Sequence, residues 1–391
     1  MNELALVHGF TFFHSLGGVQ SMLRRHLEGD ASHSVASEFL AYFDGRETTT
    51  PRVQGLGLSW KDTIRSARGR FKQVRPARPA MVAYHNCWGL PFFADLDGAQ
   101  RRIGVLHSDW PGLPECLRRV RGLLDGMLCV SQPLVELARR ECPELGAERV
   151  AFLPYPAGRA GVDTRKPSLR GRPLALGFVG RLSREQKRVD RFPALLGELD
   201  RVGLDYRFEF LGDGPEEGWL RQRLGGNSRV GFHSRLSGDS YWRVLQSWDV
   251  VVFASDYEGL PISMLEALSV GVLPVFPRIG CGGDDFARRL GPGFLYAPED
   301  FPAVAKLLAG LTALSDAEAQ ALRDRGGELA RPHLGDCYLS TFADFARRIA
   351  TLSRISNGAP PPRPFYPSDL CPFALLRRAY PMGFWRGPGA G

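Results

Sequence analysis

The chain has 391 residues, 44% of them hydrophobic, which is more than one ordinary core holds and is normal for a soluble globular protein. Its formal net charge of +8 favours an anionic partner without naming one, and seven scattered cysteines lacking any C-x2-C pair exclude a disulfide framework or a zinc site. No run approaches about 18 consecutive apolar residues, and the start Met-Asn-Glu-Leu-Ala-Leu-Val-His has neither the basic region nor the apolar core of a signal peptide, so a cytoplasmic location is expected.

In the first half, apolar runs at Leu4–His8, Phe39–Phe43, Met81–Tyr84, Ile103–Leu106 and Met127–Val130 read as strands separated by amphipathic stretches. That alternation predicts a parallel sheet covered by helices. Gly17-Gly18 follows the first strand and precedes an amphipathic helix over Val19–Leu27, and by itself such a pair permits a turn. The Gly-x-Gly-x2-Gly pattern is absent, which argues against a dinucleotide-dependent dehydrogenase.

Further along, Lys61, Arg65, Arg68, Arg70, Lys72, Arg75 and Arg78 face the single acid Asp62, while Trp60, Ile64, Ala67 and Phe71 fall on one helical stripe. Two readings stay open: an amphipathic helix lying on an anionic membrane surface, or a solvated basic face whose stripe packs inside its own domain. No nucleic-acid-binding motif accompanies the charge, so nucleic acid is not expected as a partner. His85 and His107 each end a strand, which places an imidazole at the carboxyl edge of the sheet. Asp95-Leu-Asp97 has a spacing found at some divalent-metal sites, but three-residue matches arise by chance and this one lies in a polar stretch between two strands of the first half, so no metal is assigned.

Prolines, glycines and charges from Leu153 to Pro173 read as a linker. A second alternation then runs through Leu174–Val179, Arg207–Leu211, Val250–Phe253 and Val272–Phe276. The expected architecture is α/β, with two doubly wound Rossmann-like domains facing a cleft, over residues 1–160 and 161–335, followed by a final helix and tail over 336–391. Arg181 directly follows the strand Leu174–Val179, with Lys187 six residues on, so both cations can reach the crevice at the strand's carboxyl end. Gly212 and Gly214 are expected to shape a turn. The tail from Ser356 is rich in proline and cannot form a long helix, yet Phe365, Tyr366, Phe373, Tyr380, Phe384 and Trp385 are too many large apolar groups for a solvated linker.

The most informative segment is 249–266, Asp-Val-Val-Val-Phe-Ala-Ser-Asp-Tyr-Glu-Gly-Leu-Pro-Ile-Ser-Met-Leu-Glu. It reads as a buried strand, a short loop and a helix start with Pro261 at the first helical position. Such a helix start can hold a phosphate. At about 1.5 Å rise per residue, Glu258 and Glu266 stand on the order of 10 Å apart and cannot share a proton. They suit the two hydroxyl-rich ends of one extended ligand with charge in its middle, the layout of a nucleotide-sugar.

The spacing Glu258-x7-Glu266 in this context closely resembles the signature of the family 4 retaining glycosyltransferases of the GT-B fold. Gly-Arg181-Leu followed by Lys187 resembles that family's diphosphate-binding segment. The similarity is strong from about Leu176 to Phe276 and vague over the first 150 residues, as expected if the second domain binds the donor and the first the acceptor. The resemblance implies that Glu266 holds the ribose hydroxyls and Glu258 orients sugar hydroxyls. It further implies that Arg181 and Lys187, with backbone N–H groups across Gly259, Leu260, Ile262 and Ser263, neutralise the diphosphate, and that Arg188 can stand in for the lysine. A histidine matching His107 faces the sugar and leaving phosphate in the family, His85 and His14 are weaker candidates, and the Gly17-Gly18 loop closes over the donor phosphate or the acceptor. In the GT-B fold the last helix crosses back to the first domain. Two departures stand out: Gly280-Cys-Gly-Gly-Asp-Asp-Phe replaces the family's Gly-Gly-x-x-Glu, and the linker lacks its common Asn-Gly-Val-Asp run.

The implied activity is retaining, metal-independent transfer of a hexose from a nucleoside-diphosphate sugar, a substrate rather than a cofactor, to the hydroxyl of an acceptor glycan or glycolipid. On the membrane reading of the basic segment, residues 60–78 would bring the protein to the cytoplasmic face of a membrane. The alternatives are a GT-B sugar-nucleotide epimerase and a catalytically silent scaffold that binds sugar or membrane.

Overall fold

A computed structural model describes residues 3–14, 17–48, 50–74, 79–159, 161–334, 337–355 and 362–379. The chain divides into two compact units, the first comprising residues up to Leu153 together with those from Cys337 onward, the second running from Pro154 to Asp336.

Unit 1 carries seven strands: β1 (Leu4–Phe10), β2 (Val35–Ala41), β3 (Val53–Gly55), β4 (Met81–His85), β5 (Arg101–Leu106), β6 (Gly126–Cys129) and β7 (Val150–Phe152). They form one sheet in the order β3-β2-β1-β4-β5-β6-β7, with every pairing parallel. Unit 2 contains β8 (Leu174–Val179), β9 (Tyr206–Leu211), β10 (Val230–His233), β11 (Val250–Val252), β12 (Leu273–Pro277) and β13 (Leu295–Tyr296), again all parallel, in the order β10-β9-β8-β11-β12-β13. Helices cover both sheets, so the inner strands β4, β6, β8 and β11 are buried along their whole length, which is why they read as unbroken apolar runs. Each unit is a Rossmann-like domain, and its chain order reverses between β1 and β4 and between β8 and β11. Ligands of open α/β sheets bind outside the carboxyl ends of the strands at such reversals.

Close approach fixes the centre of unit 2. Gly177 on β8 lies under Trp248, where a Cβ would fall on the indole ring, and the indole Nε1 donates to Glu209 at 2.7 Å. Gly212 has φ +146°, and a Cβ there would strike the carbonyl oxygen of Gly180, so the loops after β8 and β9 touch through backbone. The same constraint at Gly214, against Leu182, makes both glycines turn formers.

The basic segment differs from a continuous 60–78 helix. The helix spans Ile64–Val74, Trp60 lies ahead of it and stacks on Phe43 at 5.0 Å, and Arg75 and Arg78 lie outside the described residues. Ile64, Ala67 and Phe71 are buried in unit 1, Arg68 pairs with Asp95, and Arg70 pairs with Asp62. Among the described residues of this segment, the exposed cations are Lys61, Arg65 and Lys72. Asp97 is buried between Tyr84 Oη at 2.6 Å and Arg102, so Asp95 and Asp97 each hold a different arginine and form no shared cation site.

Part of the tail packs on unit 1. The amides of Phe373 and Ala374 donate to the carbonyls of Asp62 and Trp60 at 2.9 Å each, and the Phe373 ring is fully buried against Phe43, Trp88 and Phe92. Arg363 forks onto Asp369 below it, whereas Phe365 and Tyr366 are exposed. Tyr380, Phe384 and Trp385 lie outside the described residues. Deleting a fully buried phenyl ring costs about 3 kcal/mol or more. Phe373→Ala is thus expected to lower the urea midpoint clearly; an unchanged midpoint would show that the tail does not belong to the core of unit 1.

Candidate functional site

In unit 2, β8 and β11 deliver two loops side by side at the reversal of chain order. The loop after β8 carries Arg181, Gln186, Lys187 and Arg188, and the loop after β11 carries Ser255, Asp256 and Glu258. Glu258 is only 6% exposed. Its carboxylate accepts from Lys187 Nζ at 2.6 Å, Ser255 Oγ at 2.8 Å and Gln186 Nε2 at 3.2 Å. Gln186 also donates to the Tyr257 carbonyl at 3.2 Å and accepts the Asp256 amide on its own carbonyl at 2.9 Å, so the two loops are zipped through backbone and side chains. Arg188, at φ +49°, turns away to Asp190 and Asp256; it does not take the lysine's place at Glu258. The half-buried Arg181 guanidinium makes no hydrogen bond or ion pair to any described residue, leaving a planar five-donor fork available.

The helix after this loop spans Ile262–Ser269. Pro261 stands one position earlier than the sequence suggests: its ψ of 117° is extended, making it the N-cap. Its ring offers no capping oxygen. Among the described residues no acceptor meets the N–H groups of Leu260, Ile262 or Ser263, and the positive end of the helix dipole lies there. Gly259 accepts the Gly282 amide at 2.8 Å, which ties this loop to the segment after β12.

In that segment Asp284 is buried and accepts from the amides of Ile279, Gly280 and Cys281 at 3.1–3.3 Å, a clamp that sequence reasoning missed. Glu266 lies in the second turn of the helix and accepts a hydrogen bond from Tyr241 Oη. Burial raises its carboxyl above the usual range, and the tyrosine hydrogen bond offsets part of this.

Unit 1 holds the other candidates. His107 directly follows β5, 5% exposed, with its amide donating to Asn86 Oδ1 at 2.8 Å. Its ring is stacked on His85 and bonded to it, Nε2 to Nδ1, at 2.7 Å. His85 Nε2 meets His8 Nδ1 at 2.9 Å, and His8 Nε2 meets Asp30 at 3.4 Å. The other oxygen of Asp30 meets His26 Nδ1 at 2.9 Å, and His26 Nε2 meets Tyr338 Oη at 3.2 Å. Sequence reasoning missed His8, His26 and Asp30. Six of the eight histidines lie within the first 107 residues, a concentration that could have flagged them.

Burial pushes His8 down to about 4, His107 down to about 3 and His85 well below its ordinary value. Burial alone would raise Asp30, but hydrogen bonds from His26 and His8 outweigh it and hold the carboxyl well below the usual range. His8, His26 and Asp30 bring potential ligand atoms within 4.8 Å of one another, but those atoms already match donor to acceptor. Gly17 and Gly18 are exposed at the start of the helix Gly18–Gly29, with no side-chain cap, and His14 is exposed beside them.

Residues 173–313 match the family described as glycosyl transferases group 1, and this segment of unit 2 belongs to it. A putative colanic acid biosynthesis glycosyltransferase, WcaL, of Escherichia coli is 25% identical over 308 residues, covering 75% of this chain and 66% of that protein. A sulfoquinovosyl transferase of Arabidopsis thaliana is 32% identical over 131 residues, covering 33% of this chain and 24% of its own. The chain thus spans under two thirds of either relative. Among solved structures, the lipopolysaccharide outer core galactosyltransferase WaaB in its apo form aligns with a TM-score of 0.62 at 18% identity, covering 88% of this chain and 99% of its own. A sucrose-phosphate synthase from Thermosynechococcus elongatus aligns with a TM-score of 0.67 at 14% identity, covering 89% and 99%. The fold is therefore GT-B.

The histidines give a pH dependence with a definite sign. Unfolded, each protonates near 6.5; folded, His8 and His107 stay neutral down to about 4 and about 3. Between these values the unfolded chain binds more protons, so their stabilisation is complete above about pH 6.5 and is lost as pH falls, by up to about 1.4 kcal/mol per pH unit for each group. The urea midpoint is expected to fall from about pH 7 to about pH 5; a flat profile would contradict neutral burial.

Proposed function

We propose that the protein is a retaining glycosyltransferase that moves a hexose from a nucleoside-diphosphate sugar to an acceptor hydroxyl, without a metal, in cell-surface polysaccharide or glycolipid synthesis. The observation that carries this reading is the grouping, at one sheet reversal, of an unbonded Arg181, an uncapped helix start and the Lys187–Glu258 pair. A diphosphate matches that grouping. It is a planar-fork acceptor for Arg181, a dipole partner for the N–H groups of Leu260, Ile262 and Ser263, and a competitor for the Lys187 ammonium.

Glu258, with Ser255 and Gln186 holding its carboxylate, accepts hydroxyl hydrogens of the hexose, and Glu266 does the same for the ribose. As the glycosidic C–O bond to the phosphate breaks, negative charge grows on the diphosphate, where Arg181, Lys187 and the helix dipole already stand. The departing phosphate takes the acceptor's proton from the same face, so no protein base is needed. Rate then comes from charge stabilisation and positioning. Relatives named for colanic acid biosynthesis and a structural neighbour named for the lipopolysaccharide outer core support a polysaccharide or glycolipid acceptor.

Two substitutions separate the roles. Arg181→Ala should weaken nucleoside-diphosphate binding by about tenfold or more while leaving the free nucleoside's affinity unchanged. Glu258→Ala should abolish transfer while diphosphate affinity holds or rises, because Lys187 loses its competing carboxylate. Isothermal titration and product analysis check both. Loss of nucleotide binding in Glu258→Ala, or inverted anomeric configuration in the product, would contradict the assignment.

A further inference from the structure

Large hydrophobic side chains left in water are concentrated in one short stretch of unit 1. Among the described residues six are strongly exposed, and four of these, Phe365, Tyr366, Leu370 and Leu375, lie close together in sequence with exposures of 61%, 48%, 53% and 54%. Single exposed apolar groups are ordinary, but a group of this kind marks a contact surface. The stretch is held firmly. Arg363 forks onto Asp369 and donates its amide to Asp95, which Arg68 also holds, so the stretch begins against the helix Ile64–Val74. It reaches the start of that helix through the antiparallel bridge between Thr63 and Pro372, where the amides of Phe373 and Ala374 donate to Asp62 and Trp60. Phe373 and Leu376 are buried in unit 1. Anchored at both ends, this clip packs two side chains inward and holds four outward.

Charge decides what such a surface fits. The acids of the two segments that form it, residues 59–74 and 362–376, are Asp62 and Asp369. With the neighbouring Asp95, each is bound to an arginine, namely Arg70, Arg363 and Arg68. Lys61, Arg65 and Lys72 are exposed and form no ion pair with any described residue. Arg65 and Lys72 share one side of the helix, away from the buried Ile64, Ala67 and Phe71. Lys61 and Arg65 lie next to Asp62 and Ile64, on the chain segment to which the clip is bonded. The face therefore combines outward leucines and aromatics with cations that no local acid neutralises.

We propose that this face docks on a bilayer containing anionic lipid, with Phe365, Tyr366, Leu370 and Leu375 entering the interface and Lys61, Arg65 and Lys72 meeting lipid phosphates. Interfacial apolar groups bury to a depth of about 5–10 Å, and cations beside them are drawn to an anionic leaflet. The apolar stripe of the basic helix is buried in unit 1, so the clip supplies the inserting groups in its place. A second copy of the chain fits less well, because two-fold pairing of the face with itself sets like charges against each other. Docking depends on this surface alone and not on the transfer reaction proposed above.

The experiment sediments full-length protein with vesicles of phosphatidylcholine alone and of phosphatidylcholine with phosphatidylglycerol, at low and high salt. Wild type should sediment with the anionic vesicles, less so at high salt, and little with neutral ones. The combined Phe365→Ser, Tyr366→Ser, Leu370→Ser and Leu375→Ser variant should bind about tenfold more weakly or less. Lys61→Gln, Arg65→Gln and Lys72→Gln should each weaken binding about fivefold. Val202→Ser, which removes an exposed apolar side chain from unit 2, should change nothing. If the urea midpoint of the serine variant falls, the three glutamine variants, which alter no buried group, carry the test. Wild type that stays in solution with anionic vesicles at low salt would overturn the proposal, as would a folded serine variant or glutamine variants that bind like wild type. Equal binding to neutral vesicles would do the same. A wild-type dimer in sedimentation velocity that the serine variant abolishes would assign the face to a second copy instead.

Discussion

A carboxylate taken out of water must be matched by a positive charge or by hydrogen bonds, and the arrangement around Glu258 follows from that requirement. Lys187 supplies the charge, and Ser255 and Gln186 supply the remaining hydrogens. Because these partners come from the loops after β8 and β11, satisfying one carboxylate fixes both loops at the point where the strand order reverses. Their position in turn leads the chain into the helix Ile262–Ser269 through Pro261, whose ring cannot cap it. The N–H groups of Leu260, Ile262 and Ser263 and the Arg181 guanidinium, which meet no partner among the described residues, thus lie on or directly after the same two loops as the ion pair, the arrangement that the proposed nucleotide-sugar would complete.

Unit 1 solves the same problem with histidines. Asp30 is buried like Glu258, but its partners are two imidazoles and a serine, and the contacts continue through His8 and His85 to the carboxyl end of β5. A lysine in that position would end the matter locally. Imidazoles, with one donor and one acceptor each, transmit it instead. The helix Cys337–Thr351 closes the far end through Tyr338, which explains why that late segment packs with the early strands of unit 1.

Much of this was legible in the sequence where burial is complete on both faces. The inner strands β1, β4, β5, β6, β8, β11 and β12 show as largely apolar runs and β9 as an alternation, and their predicted positions agree to within a few residues. The four strands that the sequence did not reveal, β3, β7, β10 and β13, are the four sheet edges. They have between two and four residues and pair on one side only, so neither length nor an apolar run marks them. The junction around Glu258 and Glu266 was legible because a strand, a loop and a helix start crowd polar groups into a few consecutive residues. The histidine chain was not, since its directly bonded members lie up to 312 positions apart and only the fold makes them neighbours. Trp60 was misread as helical because 4-3-4 spacing continues past a helix end, and Pro261 because its fixed φ suits the N-cap as well as the first turn.

The central claim, that the sheet reversal of unit 2 holds a nucleoside diphosphate between Arg181 and Glu266, is tested most directly by thermal unfolding. The melting temperature of the wild type and of Glu266→Ala would be measured with UDP, GDP, ADP and TDP in the presence of a chelator. One diphosphate should stabilise the wild type and fail to stabilise the variant, which would identify the base along with the site. If no nucleoside diphosphate shifts the wild type, or if the variant responds equally, the site has been placed wrongly.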